Sequence, residues 1–159
     1  MDAQTDGTFK LTGKIHFEHR DKDGVLKDER FINNLVVSAG KATAAGLINT
    51  AVSNAIKYIA IGTGSVAPAA GDTALGNEIT TSGGARALAT TLNRVTTTVT
   101  NDTAQWIVTF SFTGSFAVTE SGLFDQLSIG GNMLARQTFT AINVVNTDSL
   151  TVTWKVQCS

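Results

Sequence analysis

The chain has 159 residues, enough for one domain with a core of its own, and 42% of them are hydrophobic, so composition excludes a disordered chain. No apolar run approaches the roughly 20 residues that cross a bilayer, and a net charge of -1 excludes the overall positive field that would hold a nucleic-acid backbone. We therefore expect a soluble, folded protein that has no membrane partner and does not bind nucleic acid directly.

The charges are placed unevenly along the chain. Of the 25 Asp, Glu, Lys and Arg residues, 14 lie in the first 41 positions, whereas threonine alone occurs 24 times in the sequence. Threonine suits the surface of a β-sheet, because its branched side chain fits the pleated backbone. This division predicts a charged N-terminal strand or hairpin arm over residues 1–30 and a weakly charged body over residues 31–159. The N-terminus is acidic where a secretory signal is basic, so no export is expected.

The N-terminal region alternates apolar and polar residues over 8–18, which predicts a strand. The residues expected on its dry face are Phe9, Leu11, Ile15 and Phe17. A DKDG turn at 21–24 and an apolar run at 31–37 then predict the returning strand of a hairpin.

The middle of the chain contains the one helix candidate. This segment, 38–52, is rich in alanine, and Ser38 is its candidate N-cap. A short buried strand is predicted at 56–62. The glycine-rich stretch 63–86 that follows carries the only proline, Pro68, and is predicted to be a long functional or docked loop.

Strand patterns resume after residue 86 and continue to the end of the sequence. Asn101-Asp102 is a two-residue hairpin signal, a short segment at 123–129 is another strand candidate, and the last strand, 149–157, alternates strictly. The side chains expected to point inward are Trp106, Val108, Phe110, Phe112, Leu150, Val152, Trp154 and Val156. The predicted fold is mainly β: antiparallel sheets arranged as a β-sandwich or jelly roll, with one short inserted helix.

Candidate catalytic and metal-binding residues are few. His16 and His19 are the only histidines, and we expect both to be exposed or in contact with a partner; a metal site would need a third ligand from elsewhere. Cys158 is the only cysteine and is too near the end of the sequence to be a well-held nucleophile. The acidic turn at 21–24 does not fit a calcium loop, because Arg30 would occupy the twelfth position. We expect no enzyme activity, no metal and no cofactor.

The few charges beyond residue 30 are expected to pair with one another. Arg86, Arg94 and Arg136 are the only arginines in that region, and we predict buried or interface ion pairs with its carboxylates, which are those of Asp72, Glu78, Glu120 and Asp125. Glu120 and Asp125 are expected to fix the ends of a strand through backbone or arginine contacts. Asp72 is expected to cap a turn through its carboxylate.

Four stretches together resemble a group of tailed-bacteriophage virion structural proteins. They are NLVVSAGKATAAGLI (34–48), IAIGTGSVAPAAGDTALGNEI (59–79), TESGLFD (119–125), and MLARQTF leading to DSLTVTW (133–154). The recurring pattern is G-T-G, a proline, D-T-x-L-x-x-E, then E-S-G-[LI]-F, M-L-A-R-x-x-F and D-[ST]-L-x-V-x-W.

This resemblance implies a non-enzymatic virion protein with a β-sandwich fold that is assembled in the host cytoplasm. The first expectation is a capsid decoration or cement protein that bridges subunits of the major capsid protein, as a trimer or dimer. The alternative is a tail fibre, collar or baseplate component that binds a receptor or glycan through exposed aromatics such as Tyr58 or Trp106. The residues expected at the partner interface are Lys10, Lys14, His16, Arg20, Lys22, Pro68, Asp72 and Glu78.

Overall fold

The computed structural model describes residues 9–159 as nine β-strands and one α-helix, which confirms a mainly β protein with one inserted helix. The elements in chain order are β1 (Leu11–Arg20), β2 (Leu26–Val36), α1 (Ser38–Ile48), β3 (Tyr58–Gly62), β4 (Ala87–Leu88), β5 (Thr91–Val95), β6 (Thr103–Ser111), β7 (Phe116–Phe124), β8 (Met133–Val144) and β9 (Ser149–Cys158).

The nine strands form one antiparallel sheet in the order β4-β3-β7-β8-β2-β1-β9-β6-β5. The sheet curls at β2, which pairs with β1 along most of its length but meets β8 through only two register pairs, Leu35 with Arg136 and Val36 with Ala135. Strands β5, β6, β9 and β1 lie on one side of this bend and β8, β7, β3 and β4 on the other. The result is a half-barrel whose two halves face each other.

The core fills the space between the two halves. The predicted inward side chains of β6 and β9 are all buried, and they join residues of β3, β7 and β8 in one cluster. Trp154 of β9 is fully buried, and its indole N–H donates to Ser121 Oγ of β7 at 3.0 Å. Ser121 in turn donates to the Ala60 carbonyl oxygen of β3 at 2.9 Å. The indole therefore has its polar atom satisfied deep inside the core.

The described part of the predicted N-terminal arm belongs to the same sheet as the body. Its described part, residues 9–30, contributes β1, which lies between β2 and β9 with Ile15 and Phe17 fully buried. Residues 1–8 of the predicted arm lie outside the described residues. The high charge of this region reflects the outward face of β1 and β2, because a central strand buries alternate side chains only.

Helix α1 is shorter than predicted and begins differently. It covers Ser38–Ile48, its N-cap is Val37, and Ser38 makes no capping hydrogen bond through its side chain. Gly40 lies against β8, where a Cβ would come within 2.0 Å of the Leu134 carbonyl oxygen. A glycine that weakens the isolated helix is thus needed for its close approach to the sheet.

The predicted two-residue hairpin at Asn101-Asp102 is instead a seven-residue loop, 96–102. The Asp102 carboxylate accepts the backbone N–H groups of Thr97, Thr98 and Val99. This side chain thus organises the loop and replaces the ladder hydrogen bonds that a tight hairpin would make. In the described part of the chain, no helix is long and apolar enough to span a membrane.

Candidate functional site

The long loop 63–86 is held against β7 by one buried carboxylate, that of Glu120. Its Oε1 accepts the backbone N–H groups of Gly64 at 2.9 Å and Asn77 at 2.7 Å, and its Oε2 accepts that of Gly76 at 2.9 Å. Glu120 is fully buried. A Cβ on Gly64 would lie 2.4 Å from Glu120 Oε1, so the glycine allows the loop backbone to reach the carboxylate.

Arg136 of β8 connects this carboxylate to the rest of the loop. Its Nη2 and Nε donate to Glu120 Oε2 at 2.8 and 3.1 Å, and its Nη1 donates to Asp72 Oδ2 at 2.6 Å. The same Nη2 donates to the Val66 carbonyl oxygen at 3.1 Å. Asp72 also accepts the Ala69 N–H, and so caps the turn at 69–72 as predicted. We call Glu120, Arg136 and Asp72 the loop clamp.

The loop clamp favours the charged form of each member. Burial by itself raises the pKa of Glu120, but the N–H groups of Asn77 and Gly76 and the Arg136 guanidinium outweigh it and hold that pKa below its ordinary value. Burial likewise lowers the pKa of Arg136, yet its two carboxylate partners hold it above the ordinary value. The site is therefore a satisfied ionic network at neutral pH.

A second buried arginine, Arg86, organises the β7–β8 connection. Its Nη1 donates to the carbonyl oxygens of Gln126, Ser128 and Gly130 at 2.9 to 3.0 Å. Its Nε and Nη2 donate to Glu78 at 2.9 and 2.7 Å, and its guanidinium lies 3.6 Å from the centre of the Phe124 ring. The guanidinium thus holds three backbone carbonyl groups of the loop 125–132 and is itself held by Glu78.

The loops held by Arg136 and Arg86 carry apolar side chains that are exposed to solvent. Val66 of the long loop is 75% exposed, and Leu127 and Ile129 of loop 125–132 are 58% and 70% exposed. The predicted strand at 123–129 is wrong beyond Phe124, because β7 ends there and the backbone turns toward Arg86. We call Val66, Leu127 and Ile129 the displayed apolar residues; no sequence pattern predicts their exposure.

Some of the residues predicted to form ion pairs do so in the structure, and others do not. Arg86 and Arg136 pair with acidic residues, as does Glu120. Asp125 instead accepts two hydrogen bonds from Asn132, at its backbone N and its Nδ2, both 2.8 Å. Arg94 is exposed on β5 and forms no ion pair within residues 9–159. A carboxylate at a strand end satisfies backbone donors as readily as it binds arginine, which accounts for Asp125.

The residues predicted at a partner interface fall into two groups. Asp72 and Glu78 are engaged by Arg136 and Arg86, and the Glu78 side chain is only 10% exposed, so Glu78 belongs to the internal network. Pro68 is half-buried in the long loop. The others lie on β1 or beside it with part of the side chain in solvent, and they are Lys10, Lys14, His16, Arg20 and Lys22.

His19 is buried, contrary to expectation. Its Nε2 lies 2.7 Å from Asp148 Oδ2, and Lys27 Nζ lies 3.1 Å from the same oxygen. His19 and Asp148 are each 3% exposed. Burial raises the pKa of Asp148, but its hydrogen bonds from His19, Lys27 and the Val145 N–H outweigh burial and hold the pKa below its ordinary value. The pair ties β1 to the turn before β9.

His16 lies on the outer face of the sheet with two carboxylates beside it. Potential ligand atoms of His16, Glu18 and Glu29 lie within 4.8 Å of one another, a spacing that could hold a cation. The atoms already have protein partners, since His16 bonds Glu29 at 2.8 Å and Arg20 bonds Glu18 at 2.9 Å. The His16 ring also stacks on Phe31, which is 74% exposed, with ring centres 4.2 Å apart.

The aromatic residues expected to be exposed are placed differently. Trp106 is 7% exposed and its indole N–H donates to the Ile56 carbonyl oxygen at 2.8 Å, so it belongs to the core. Tyr58 is half-buried. Phe31 is the aromatic side chain that the sheet face presents.

Comparison with protein-family models and with curated proteins finds no match to this chain.

Proposed function

We propose that this chain is a non-enzymatic virion structural protein that decorates a capsid and bridges subunits of the major capsid protein. The observation that carries the proposal is that the charged motif residues hold loops of this chain in place. Asp72, Glu78, Glu120 and Arg136 stand in the stretches that resemble virion proteins, and all four are engaged in holding loops. Motif residues that build rigid loops fit a contact protein better than an enzyme, whose charged motif residues face a substrate.

The body in this proposal is a β-sandwich made from the two halves of the curled sheet. Its support is the shared core, in which Trp154 of one half hydrogen-bonds Ser121 of the other. Such a body is stiff, because its core side chains are packed on both sides and its loops are fixed by buried ion pairs. It is suited to carry load between neighbouring subunits.

The displayed apolar residues supply the contact with the capsid. Burying such a side chain fully gains about 1.5 to 3 kcal/mol, and association itself costs at least about 4 kcal/mol, so three side chains give only a weak contact. Loops that are already fixed by internal hydrogen bonds lose little entropy on docking, which preserves that small gain. A symmetric trimer or dimer repeats the contact and multiplies its effect through effective concentration.

The proposal is tested by adding the purified protein to tailed particles that lack it and separating heads from tails by density. We expect the protein to sediment with heads. The double variant Leu127→Ser, Ile129→Ser should lose binding, whereas the control Leu92→Ser, at a 48% exposed position of β5, should retain it. Sedimentation with tails only, or equal binding by both variants, would overturn the proposal.

A second candidate is a tail fibre, collar or baseplate component that binds a receptor or glycan. The observation that favours it is the exposed Phe31 ring beside Glu29 and His16, since sugars stack on aromatic rings and donate hydroxyl hydrogen bonds to carboxylates. Binding to host cell envelopes that Phe31→Ser abolishes, together with sedimentation in the tail fraction, distinguishes this candidate from capsid decoration.

A further inference from the structure

A groove runs along the end of the sheet where β1, β9 and α1 approach one another. Its polar part is a cavity of about 460 Å³ lined by three lysines, Lys14, Lys41 and Lys155. Lys14 and Lys155 occupy directly opposite positions on β1 and β9. Like charges placed opposite each other across a sheet destabilise the pair, so a bound counter-charge would make this arrangement more favourable.

The described chain supplies no such counter-charge. Within residues 9–159, no carboxylate lies within 4.0 Å of the ammonium group of any of these three lysines. Asp102 contacts Gln157 of the cavity lining, but its carboxylate already accepts backbone N–H groups of loop 96–102. Asn34, also in the lining, has a buried amide whose oxygen and nitrogen both lack a hydrogen-bond partner.

The groove continues into an apolar part. A cavity of about 360 Å³ shares Leu11 and Lys41 with the polar part, and a further one of about 310 Å³ is lined almost wholly by apolar side chains. Two of its residues, Phe9 and Ile48, are 60% and 75% exposed. One continuous surface thus places three positive charges next to a strip that favours apolar contact.

We propose that this groove binds an extended peptide segment of a partner protein, in which carboxylate side chains stand next to apolar ones. The carboxylates match Lys14, Lys41 and Lys155, and the apolar side chains match the strip beside Phe9 and Ile48. A nucleic acid matches the lysines only, because its phosphates continue along the whole backbone and would also lie on the apolar strip. The inference stands apart from the proposed capsid role, since the groove shares no residue with the displayed apolar residues.

The test titrates the purified protein into a fluorescein-labelled peptide of four acidic residues followed by Leu-Phe-Ala-Leu, with fluorescence anisotropy as the readout. We expect saturable binding that weakens as salt screens the charges. Because an exposed ion pair is worth a few-fold in affinity, the triple variant Lys14→Gln, Lys41→Gln, Lys155→Gln should bind at least about 10-fold more weakly. Ile48→Ser should weaken binding by roughly 3-fold or more, because it removes apolar contact.

The matched control is Lys22→Gln, which removes a lysine that is bonded to Asp23 in the turn between β1 and β2. It should bind the peptide like the unaltered protein, and thermal melting should show that all variants are folded. The inference is overturned if the triple variant binds as tightly as the control or if the labelled peptide shows no saturable binding. Tighter binding of a single-stranded oligonucleotide of similar length would also overturn it, in favour of nucleic acid.

Discussion

Replacing Glu120 with Gln tests the loop clamp most sharply, because the volume of the side chain hardly changes while its charge and one acceptor are lost. The carboxylate accepts hydrogen bonds at both oxygens, from Gly64 and Asn77 at one and from Gly76 and Arg136 at the other. A glutamine keeps one oxygen and places an NH₂ group at the other position. In either orientation of the glutamine amide, its NH₂ group faces N–H donors of the loop or of Arg136, which then have no acceptor there.

The expected loss of stability depends on the burial of Glu120 and on the contacts that Arg136 and the loop N–H groups keep. Removing one member of a buried ion pair costs about 3 to 5 kcal/mol, and a buried N–H left without an acceptor costs about 1 to 3 kcal/mol. Arg136 keeps Asp72, at 2.6 Å, so the charge is not left unpaired. We therefore expect Glu120→Gln to lower the free energy of unfolding by about 3 kcal/mol, a large part of the 5 to 15 kcal/mol typical of a domain.

The assay is urea unfolding combined with hydrogen exchange of the amides of residues 63–78. We expect a lower midpoint and faster exchange at Gly64, Gly76 and Asn77. The control is Glu29→Gln, since Glu29 has a 42% exposed side chain and its pair with His16 is worth no more than about 1 kcal/mol. If the two variants lose equal stability, or the amides of the loop exchange at the original rate, the reasoning about the loop clamp is wrong.

Three further predictions concern other parts of the fold. Arg86→Met removes five hydrogen bonds, so we expect a loss of about 3 kcal/mol in urea unfolding and faster amide exchange in 125–132; unchanged exchange there would contradict the role of this arginine. Gly40→Ala should lower the melting temperature, because the new Cβ would meet a carbonyl oxygen of β8; this outweighs the helix preference of alanine, which is about 1 kcal/mol. The control Gly71→Ala places its Cβ in open space and should not lower the melting temperature, and a stabilised Gly40→Ala variant would refute the close approach. The pKa of Asp148 is below its ordinary value, so the stability that its carboxylate contributes is present above the ordinary pKa and is lost as pH falls through the folded-state pKa. Between pH 5 and pH 2, the free energy of unfolding in urea should fall more steeply for the native chain than for Asp148→Asn, and parallel curves of free energy against pH would contradict this.

Alternation of apolar residues carried most of the fold prediction. The inward faces of β6 and β9 follow from period-two patterning, and the buried Ile15 and Phe17 of β1 do as well. The same pattern could not show that β1 is a central strand, because pairing with β9 joins residues more than 120 positions apart. Charge density therefore marks residues 1–30 as a charged arm, but it does not show that β1 is an internal strand of the sheet.

The candidate site was predictable in its chemistry but not in its geometry. Scarce arginines in a weakly charged region pointed to ion pairs, and Arg86 and Arg136 form them. Which carboxylate faces which arginine depends on contacts between distant segments, so the sequence does not decide between backbone and arginine contacts for Asp125. For the same reason it does not reveal that His19 is buried. The exposure of Leu127 and Ile129 depends on the hydrogen bonds from Arg86 to the loop backbone, which no local pattern reveals.

The copy number of the chain in tailed particles, measured by quantitative mass spectrometry against the major capsid protein, tests the proposed function most directly. A decoration protein occupies equivalent positions over the whole shell, so we predict on the order of hundreds of copies per particle. Absence from the particle would contradict a virion role, and about a dozen copies or fewer would contradict decoration of the capsid and support the tail component.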